Sequence, residues 1–217
     1  MKTQAVLFDL DGTFADTAPD LGEALNYLRS LRKLPPLPLG ITRLQASHGS
    51  AGLIKLGLNI ERTSSKFPPL QEAFLAYYSA NICVQTTLFP GIEALINTLE
   101  QRGLPWGIVT NKPQQLTLQL MHALGYFNRA ACIVSGDTCA HAKPHPEPLL
   151  YAAERLGIAP QNCIYVGDDK RDMVAGQAAG MKSFIALYGY IDPLADLDSW
   201  QATGRIKSPN DLILQLI

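Results

Sequence analysis

Four apolar residues, Ala5–Phe8, run without a break into Asp9-Leu10-Asp11-Gly12-Thr13. A short apolar run stopped by a turn signal reads as a buried strand feeding a loop. The pattern recurs at Trp106–Val109, followed by Thr110-Asn111-Lys112-Pro113, and at Cys163–Val166, followed by Gly167-Asp168-Asp169. Ala131–Val134 and Ser183–Leu187 are further strand-like runs. Strands alternating with helical segments predict an α/β fold, a parallel sheet flanked by helices on both faces with right-handed crossovers. Such sheets gather their sites at the carboxyl ends of the strands. Asp9, Thr110 and Asp168 each follow a strand directly and so belong on one edge.

The helical segments carry their own signals. Pro90 opens a segment whose Ile92, Leu95, Ile96 and Leu99 repeat at helical spacing, with Gly103 past its end. Leu116, Leu120, Met121 and Leu124 mark a helix ending before Gly125, Glu147–Leu156 one stopped by Gly157, Met173–Ala179 one ending at Gly180, and Pro209–Leu216 a last one. Between the first strand and Pro90 the character differs. Pro19–Arg32 reads as a helix with Ala18, Leu21, Leu25 and Leu28 on one face and Asp16 or Thr17 as its cap. Three prolines in Leu34–Gly40 forbid a regular helix. Helical character resumes over Ile41–Leu58, broken near His48-Gly49-Ser50, and again over Leu70–Cys83, with Phe74, Tyr77, Tyr78 and Ile82 on one side. No strand pattern interrupts this block. The expected division is a core of residues 1–15 and 86–217 and a separate helical domain of residues 16–85.

Composition narrows the function. With 47% hydrophobic and 17% charged residues the chain buries a sizeable core. A net charge of −1 without a dense Lys/Arg stripe argues against nucleic acid or an anionic membrane as partner. No apolar run reaches the ~18 residues of a membrane span, and Asp9 and Asp11 break the apolar start too early for a signal peptide. Cys83, Cys132, Cys139 and Cys163 form no CxxC pair, which fits a reduced, cytoplasmic chain. Zinc held by Cys139, His141 and His145 is disfavoured. His141 and His145 are read as ordering their loop and His122 as structural.

Asp9 and Asp11 lie two apart in extended chain and so share one side. Two carboxylates forced together repel unless a cation lies between them or one keeps its proton. Gly12 permits positive φ and lets backbone N–H groups approach an anion. The stretch therefore suits a cation and a phosphate together. Four stretches line up with it: Asp9–Thr13, Thr110–Lys112, Ala142–Pro148 (AKPHPEP) and Gly167–Asp172 (GDDKRD). In order and spacing they resemble the four motifs of the haloacid dehalogenase superfamily. The resemblance implies a Rossmann-like core, with the inserted helical block similar to the C1 cap of subfamily I. Within the superfamily, Asp16–Asp20, KPHPEP and GDDKRDMVAGQAAGM are most similar to bacterial phosphoglycolate phosphatases. The N-acetylmuramic acid 6-phosphate phosphatases are a sibling pattern, which the TAPD start and Ala186–Ile191 resemble.

The residues then take tasks. Asp9 is the expected nucleophile, forming an aspartyl-phosphate, and Asp11 the acid and base, protonating the leaving oxygen and then deprotonating water. Asp9, Asp168 and the Asp11 backbone carbonyl are expected to hold Mg²⁺. Thr110 and Asn111 offer a hydroxyl, an amide and backbone N–H to phosphate, and Lys143 balances Asp9 and phosphate as a point charge. Asp169 and Asp172 either support the metal shell or, for Asp172, cap the following helix. His48 either touches substrate or sits on a helix surface. The implied activity is Mg²⁺-dependent hydrolysis of a small phosphomonoester by a monomer or homodimer. The expected substrate is 2-phosphoglycolate, with N-acetylmuramic acid 6-phosphate or another sugar phosphate as the alternative. A dehalogenase has no use for Asp11, a phosphomutase needs a long-lived phospho-enzyme, and a silent binding module would lack Asp9, Lys143 or Asp168.

Overall fold

The computed structural model describes residues 2–216. In chain order the elements are β1 (Ala5–Phe8), β2 (Ala15–Asp16), α1 (Ala18–Ser30), α2 (Leu39–Ala46), α3 (Gly49–Leu58), α4 (Phe67–Ala80), β3 (Thr87–Leu88), α5 (Ile92–Gln101), β4 (Trp106–Val109), α6 (Gln114–Ala123), β5 (Cys132–Val134), α7 (Glu147–Leu156), β6 (Cys163–Gly167), α8 (Lys170–Ala178), β7 (Lys182–Ala186) and β8 (Gly204–Ile206). Six strands pair in parallel in the order β5-β4-β1-β6-β7-β8.

β1 is fully buried and central, and its alternating side chains feed two cores. Val6 and Phe8 face one with Trp106, Ile108 and α5, whereas Ala5 and Leu7 face the other with Val109, Leu149 and Tyr165. β4 flanks β1 on one side and β6 on the other, and the crossovers from β1 to β4 and from β6 to β7 run in opposite directions. A crevice opens at the carboxyl ends of strands at such a reversal.

Helices α1 to α4 lie between β2 and β3, whose antiparallel pairing (Ala15 with Leu88, Asp16 with Thr87) brings the two chain crossings side by side. α1 buries Ala18, Leu21, Leu25 and Leu28. The proline segment is fastened by Asn26, which exchanges hydrogen bonds with the Leu37 backbone at 3.1 and 2.8 Å, and by Arg29, which donates to the Pro35 carbonyl at 2.8 Å. Near the crossings the Asp20 carboxylate accepts from the backbone N–H groups of Gln85 and Thr86 and from the Thr86 hydroxyl at 2.7 Å.

Several boundaries differ from the sequence reading. α4 runs Phe67–Ala80 rather than Leu70–Cys83, because Pro68 and Pro69 fit a first helical turn, and Ile82 falls outside it. Thr17 stands at the N-cap of α1 without capping it: its hydroxyl donates to Asp11, while Asp16 pairs with Arg43. Pro209–Gln215 is a 3-10 helix rather than an α-helix. The sequence pattern reveals none of β2, β3 and β8, because runs of two or three residues are too short to stand out. Among the described residues no helix is long and apolar enough to cross a membrane.

Phe14, at the first crossing, stacks on Trp106 at 5.4 Å and meets the edge of Tyr126 at 5.5 Å, fully buried. Removing a buried phenyl ring typically costs about 3–5 kcal/mol. Phe14→Ala should lose that much in urea unfolding, and a loss below about 1 kcal/mol would mean that the site collapses around the gap.

Candidate active site

Asp9 follows β1, and its backbone N–H is held by the Val166 carbonyl of β6 at 2.8 Å. Three residues on, Gly12 takes φ +88, and a Cβ there would collide with the Asp168 carboxylate and the Tyr190 ring. Only glycine lets the first loop fold this tightly against the loop after β6. Asp9, Asp168 and Asp172 are all buried, and a ligand oxygen from each lies within 4.8 Å of the others.

Lys143 offsets this crowd of carboxylates. Its Nζ donates at 2.8 Å to Asp9 Oδ1, at 2.8 Å to the Val109 carbonyl and at 2.7 Å to the Tyr165 hydroxyl, and lies 2.8 Å from Asp172 Oδ1. Burial works against a charge there, yet Asp172 and Asp9 hold the ammonium above the usual lysine range. Tyr165 in turn donates to Asp172 Oδ1 at 3.0 Å. Burial pushes this phenol well above its ordinary range, so it stays a proton donor. Asp172 accepts the Asp169 N–H at 3.1 Å, closing a capping box at the start of α8. Asp172 thus caps α8, one of its two sequence-level options, and also belongs to the acidic cluster.

Asp168 is fixed by three donors: Thr13 Oγ1 at 3.2 Å, Ser47 Oγ at 3.1 Å and the Tyr190 N–H at 2.8 Å. Burial and the Asp9 and Asp172 carboxylates push its pKa well up. Asp169 faces outward from the cluster. Burial opposes its charge, but the Arg171 guanidinium holds its carboxyl below the usual range. Arg171 also donates to the Ser47 carbonyl at 3.0 Å, docking the α2–α3 break on this loop. His48, in that break, is half exposed with Nε2 3.8 Å from Asp169 Oδ2. Burial and Arg171 lower its pKa.

After β4, the buried Thr110 hydroxyl accepts the Lys112 N–H at 3.1 Å, leaving its proton for a ligand. The Asn111 amide is committed elsewhere: it donates to the Lys143 carbonyl at 2.8 Å and accepts the Lys143 N–H at 3.0 Å. The Asn111 side chain thus holds the Lys143 loop, with its second amide N–H and its backbone N–H left over. The Asp11 carboxylate lies outside the acidic cluster, bound to Lys112 Nζ at 3.0 Å and Thr17 Oγ1 at 2.6 Å. The sequence reading offers the Asp11 backbone carbonyl, not this carboxylate, to a cation. Below the Lys143 loop, His141 and His145 stack at 4.4 Å, and Glu147 accepts from His141 Nδ1 at 2.8 Å and from two backbone N–H groups. Cys139 has no part in that cluster.

A cavity of about 410 Å³ opens from Asp9, Asp11, Thr110 and Lys143 to the helical block, where His48, Ser50, Arg62, Gln71 and Tyr78 line it. Sequence reasoning passed over Lys112, Tyr165, Arg171 and Tyr190. A tyrosine two residues before Gly167 in a buried strand was the available signal, since a buried phenol seeks a partner. Tyr190 offered none.

Burial, ahead of the opposing effect of Lys143, raises the Asp9 carboxyl from 3.8 to about 6. The folded chain then holds this proton more tightly than the unfolded one, so the stability it contributes is present below about 3.8 and is lost as pH rises to about 6. In the presence of chelator, the unfolding free energy of wild type relative to Asp9→Asn should fall across that interval. A difference that grows with pH would contradict the assignment.

A family profile for haloacid dehalogenase-like hydrolases matches residues 6–186. The chain is 44% identical over 213 residues to a phosphoglycolate phosphatase of Xanthomonas campestris, covering 96% of this chain and 94% of that one. It is 37% identical over 213 residues to an N-acetylmuramic acid 6-phosphate phosphatase of Pseudomonas aeruginosa, covering 98% and 94%. The fold is similar to the solved structure of a predicted phosphoglycolate phosphatase from Haemophilus somnus, with a TM-score of 0.87 at 24% identity over 100% and 99% of the two chains. With its carboxylate-terminated strands, inserted helices and profile match, this chain belongs to the haloacid dehalogenase-like hydrolases.

Proposed function

We propose that this phosphatase is a magnesium-dependent phosphomonoesterase working through an aspartyl-phosphate on Asp9. One observation carries the reading: Asp9 stands at the carboxyl edge of the sheet, 2.8 Å from the buried Lys143 ammonium and within a cluster of three carboxylates, at the floor of the cavity. Three buried carboxylates against one ammonium leave negative charge uncompensated, and the donors are all oxygen, which suits a hard divalent cation. Asp9, Asp168 and the Asp11 carbonyl would hold Mg²⁺, with Asp172 and Asp169 supporting from behind. When bound, the ion neutralises charge on the transferring phosphoryl group.

The chain's own residues do the rest. Thr110, the Asn111 N–H and Lys143 orient the phosphate oxygens. Asp9 attacks phosphorus as the bond to the leaving oxygen breaks, and Asp11 gives that oxygen a proton. In the second half Asp11 takes a proton from water as it attacks phosphorus and frees Asp9. Residues 16–85 act as a cap on the core of residues 1–15 and 86–217. They hinge near Phe14–Asp16 and Leu88–Gly91, and closing them keeps bulk water out. The free thiols of Cys83, Cys132, Cys139 and Cys163 suit a reducing compartment, and we place the enzyme in the cytoplasm.

The substrate we favour is 2-phosphoglycolate, on the similarity to phosphatases named for it. A second reading, N-acetylmuramic acid 6-phosphate, is favoured by the cavity itself. Its 410 Å³ and the polar Ser50, Arg62 and Gln71 beyond the acidic cluster leave room for a leaving group larger than two carbons.

Phosphate release should need Mg²⁺ and stop on chelation. Asp9→Asn should fall by about a thousandfold or more, and Asp11→Asn by about 10²–10⁴ on an alkyl ester. Full activity in Asp9→Asn would sink the nucleophile assignment. Comparing kcat/KM for the two esters decides the substrate.

A further inference from the structure

Lys112 has no part in the steps above, yet it is placed with care. Its side chain is 6% exposed, its Nζ lies 3.0 Å from Asp11 Oδ1, and on the other side it sits 4.5 Å from the centre of the Tyr78 ring. Tyr78 comes from α4, so a cap residue covers a core ammonium. Burial opposes the charge, but the Asp11 carboxylate holds this lysine above its usual range. The Thr17 hydroxyl donates to the same Asp11 oxygen at 2.6 Å. Among the described residues nothing hydrogen-bonds Asp11 Oδ2, and Asp11, Lys112 and Tyr78 all line the cavity. The carboxylate is thus anchored at one oxygen and unengaged at the other. A lysine meant for phosphate would have its ammonium directed at open space, whereas this one is enclosed between a carboxylate and an aromatic face.

We propose that Lys112 is a positioning residue that fixes Asp11 through Oδ1, so that Oδ2 exchanges the proton with the leaving group, and that Tyr78 holds Lys112 there from the cap. This rests on the phosphoryl-transfer reading above. In the first half the proton passes from Oδ2 to the leaving oxygen as its bond to phosphorus breaks. In the second, Oδ2 receives one from water as phosphorus leaves Asp9. A misplaced Asp11 therefore harms substrates in proportion to how much their leaving group needs a proton.

That dependence supplies the test. Single-turnover release of the leaving group is measured for p-nitrophenyl phosphate, whose leaving phenolate needs little protonation, and for whichever alkyl ester, 2-phosphoglycolate or N-acetylmuramic acid 6-phosphate, the wild type cleaves faster. Proton donation is worth about 10²–10⁴-fold, so Lys112→Met should shift the alkyl-to-aryl rate ratio down by about tenfold or more. Lys112→Arg should recover the larger part of it. Tyr78→Leu should shift the ratio the same way, and Tyr78→Phe, which keeps the ring, should shift it less. The Tyr78 pair also reads the ratio if Lys112→Met fails to fold. An unchanged ratio in an active Lys112→Met or Tyr78→Leu overturns this role alone, whatever the common loss. A wild-type chain that cleaves none of the esters overturns the phosphatase reading and this role with it.

Discussion

Three buried carboxylates, Asp9, Asp168 and Asp172, share one small volume with a single buried ammonium, Lys143. Confining like charges away from water is costly, and a carboxylate in this setting either takes up a proton or finds a cation. The loops at this edge of the sheet are built to bear that cost. Asn111 fastens both backbone groups of Lys143, Tyr165 bridges Lys143 and Asp172, and Thr13, Ser47 and the Tyr190 N–H hold Asp168. The glycines serve the same end. Gly12 gives Asp168 room on one side, and Gly167 gives Asp172 room on another. A site held this firmly by the protein's own groups resembles the preorganised electrostatics that phosphoryl transfer requires.

The inserted helices meet this site at two places. At the α2–α3 break, Ser47 reaches Asp168 and the Ser47 carbonyl accepts from Arg171. At α4, Tyr78 covers Lys112 beside Asp11. The cavity walls divide along the same line, with reacting groups from the sheet edge and Ser50, Arg62 and Gln71 from the inserted block. In the proposed reading the sheet edge sets the reaction and the helices set the leaving group. The aromatic cluster of Phe14, Trp106 and Tyr126 packs the start of the first crossing into the core.

Much of this was legible along the chain. An apolar run such as Ala5–Phe8 or Cys163–Gly167 is a local pattern, and the turn signal that ends it is local too. The parallel sheet and the positions of Asp9, Thr110 and Asp168 after its strands therefore follow from short-range features. Errors gathered where the signal was weak or had two readings. β8 is three residues long, and Pro68 and Pro69 lie inside the start of α4 where prolines elsewhere end helices. The Asn111 side chain reads as a phosphate group on chemistry, and the fold adds what the sequence does not carry, its hydrogen bonds to the Lys143 backbone.

The sequence by itself determined the order of the longer strands and helices, the block inserted after the first loop and the candidate reactive side chains at the strand ends. Periodicity, proline and glycine act over a few residues, and so they can be read without the fold. Only the tertiary structure decided which charges meet. Lys143 and Asp9 are 134 residues apart and Lys112 and Asp11 101 apart, and no local pattern links them. The family resemblance already set Lys143 against Asp9, but the Lys112–Asp11 pairing came only from strand order, which put β4 and β6 on either side of β1, and from packing, which brought Tyr78 onto Lys112. Because electrostatic interactions act through space and not along the chain, the same residues acquired definite partners only once the sheet had formed.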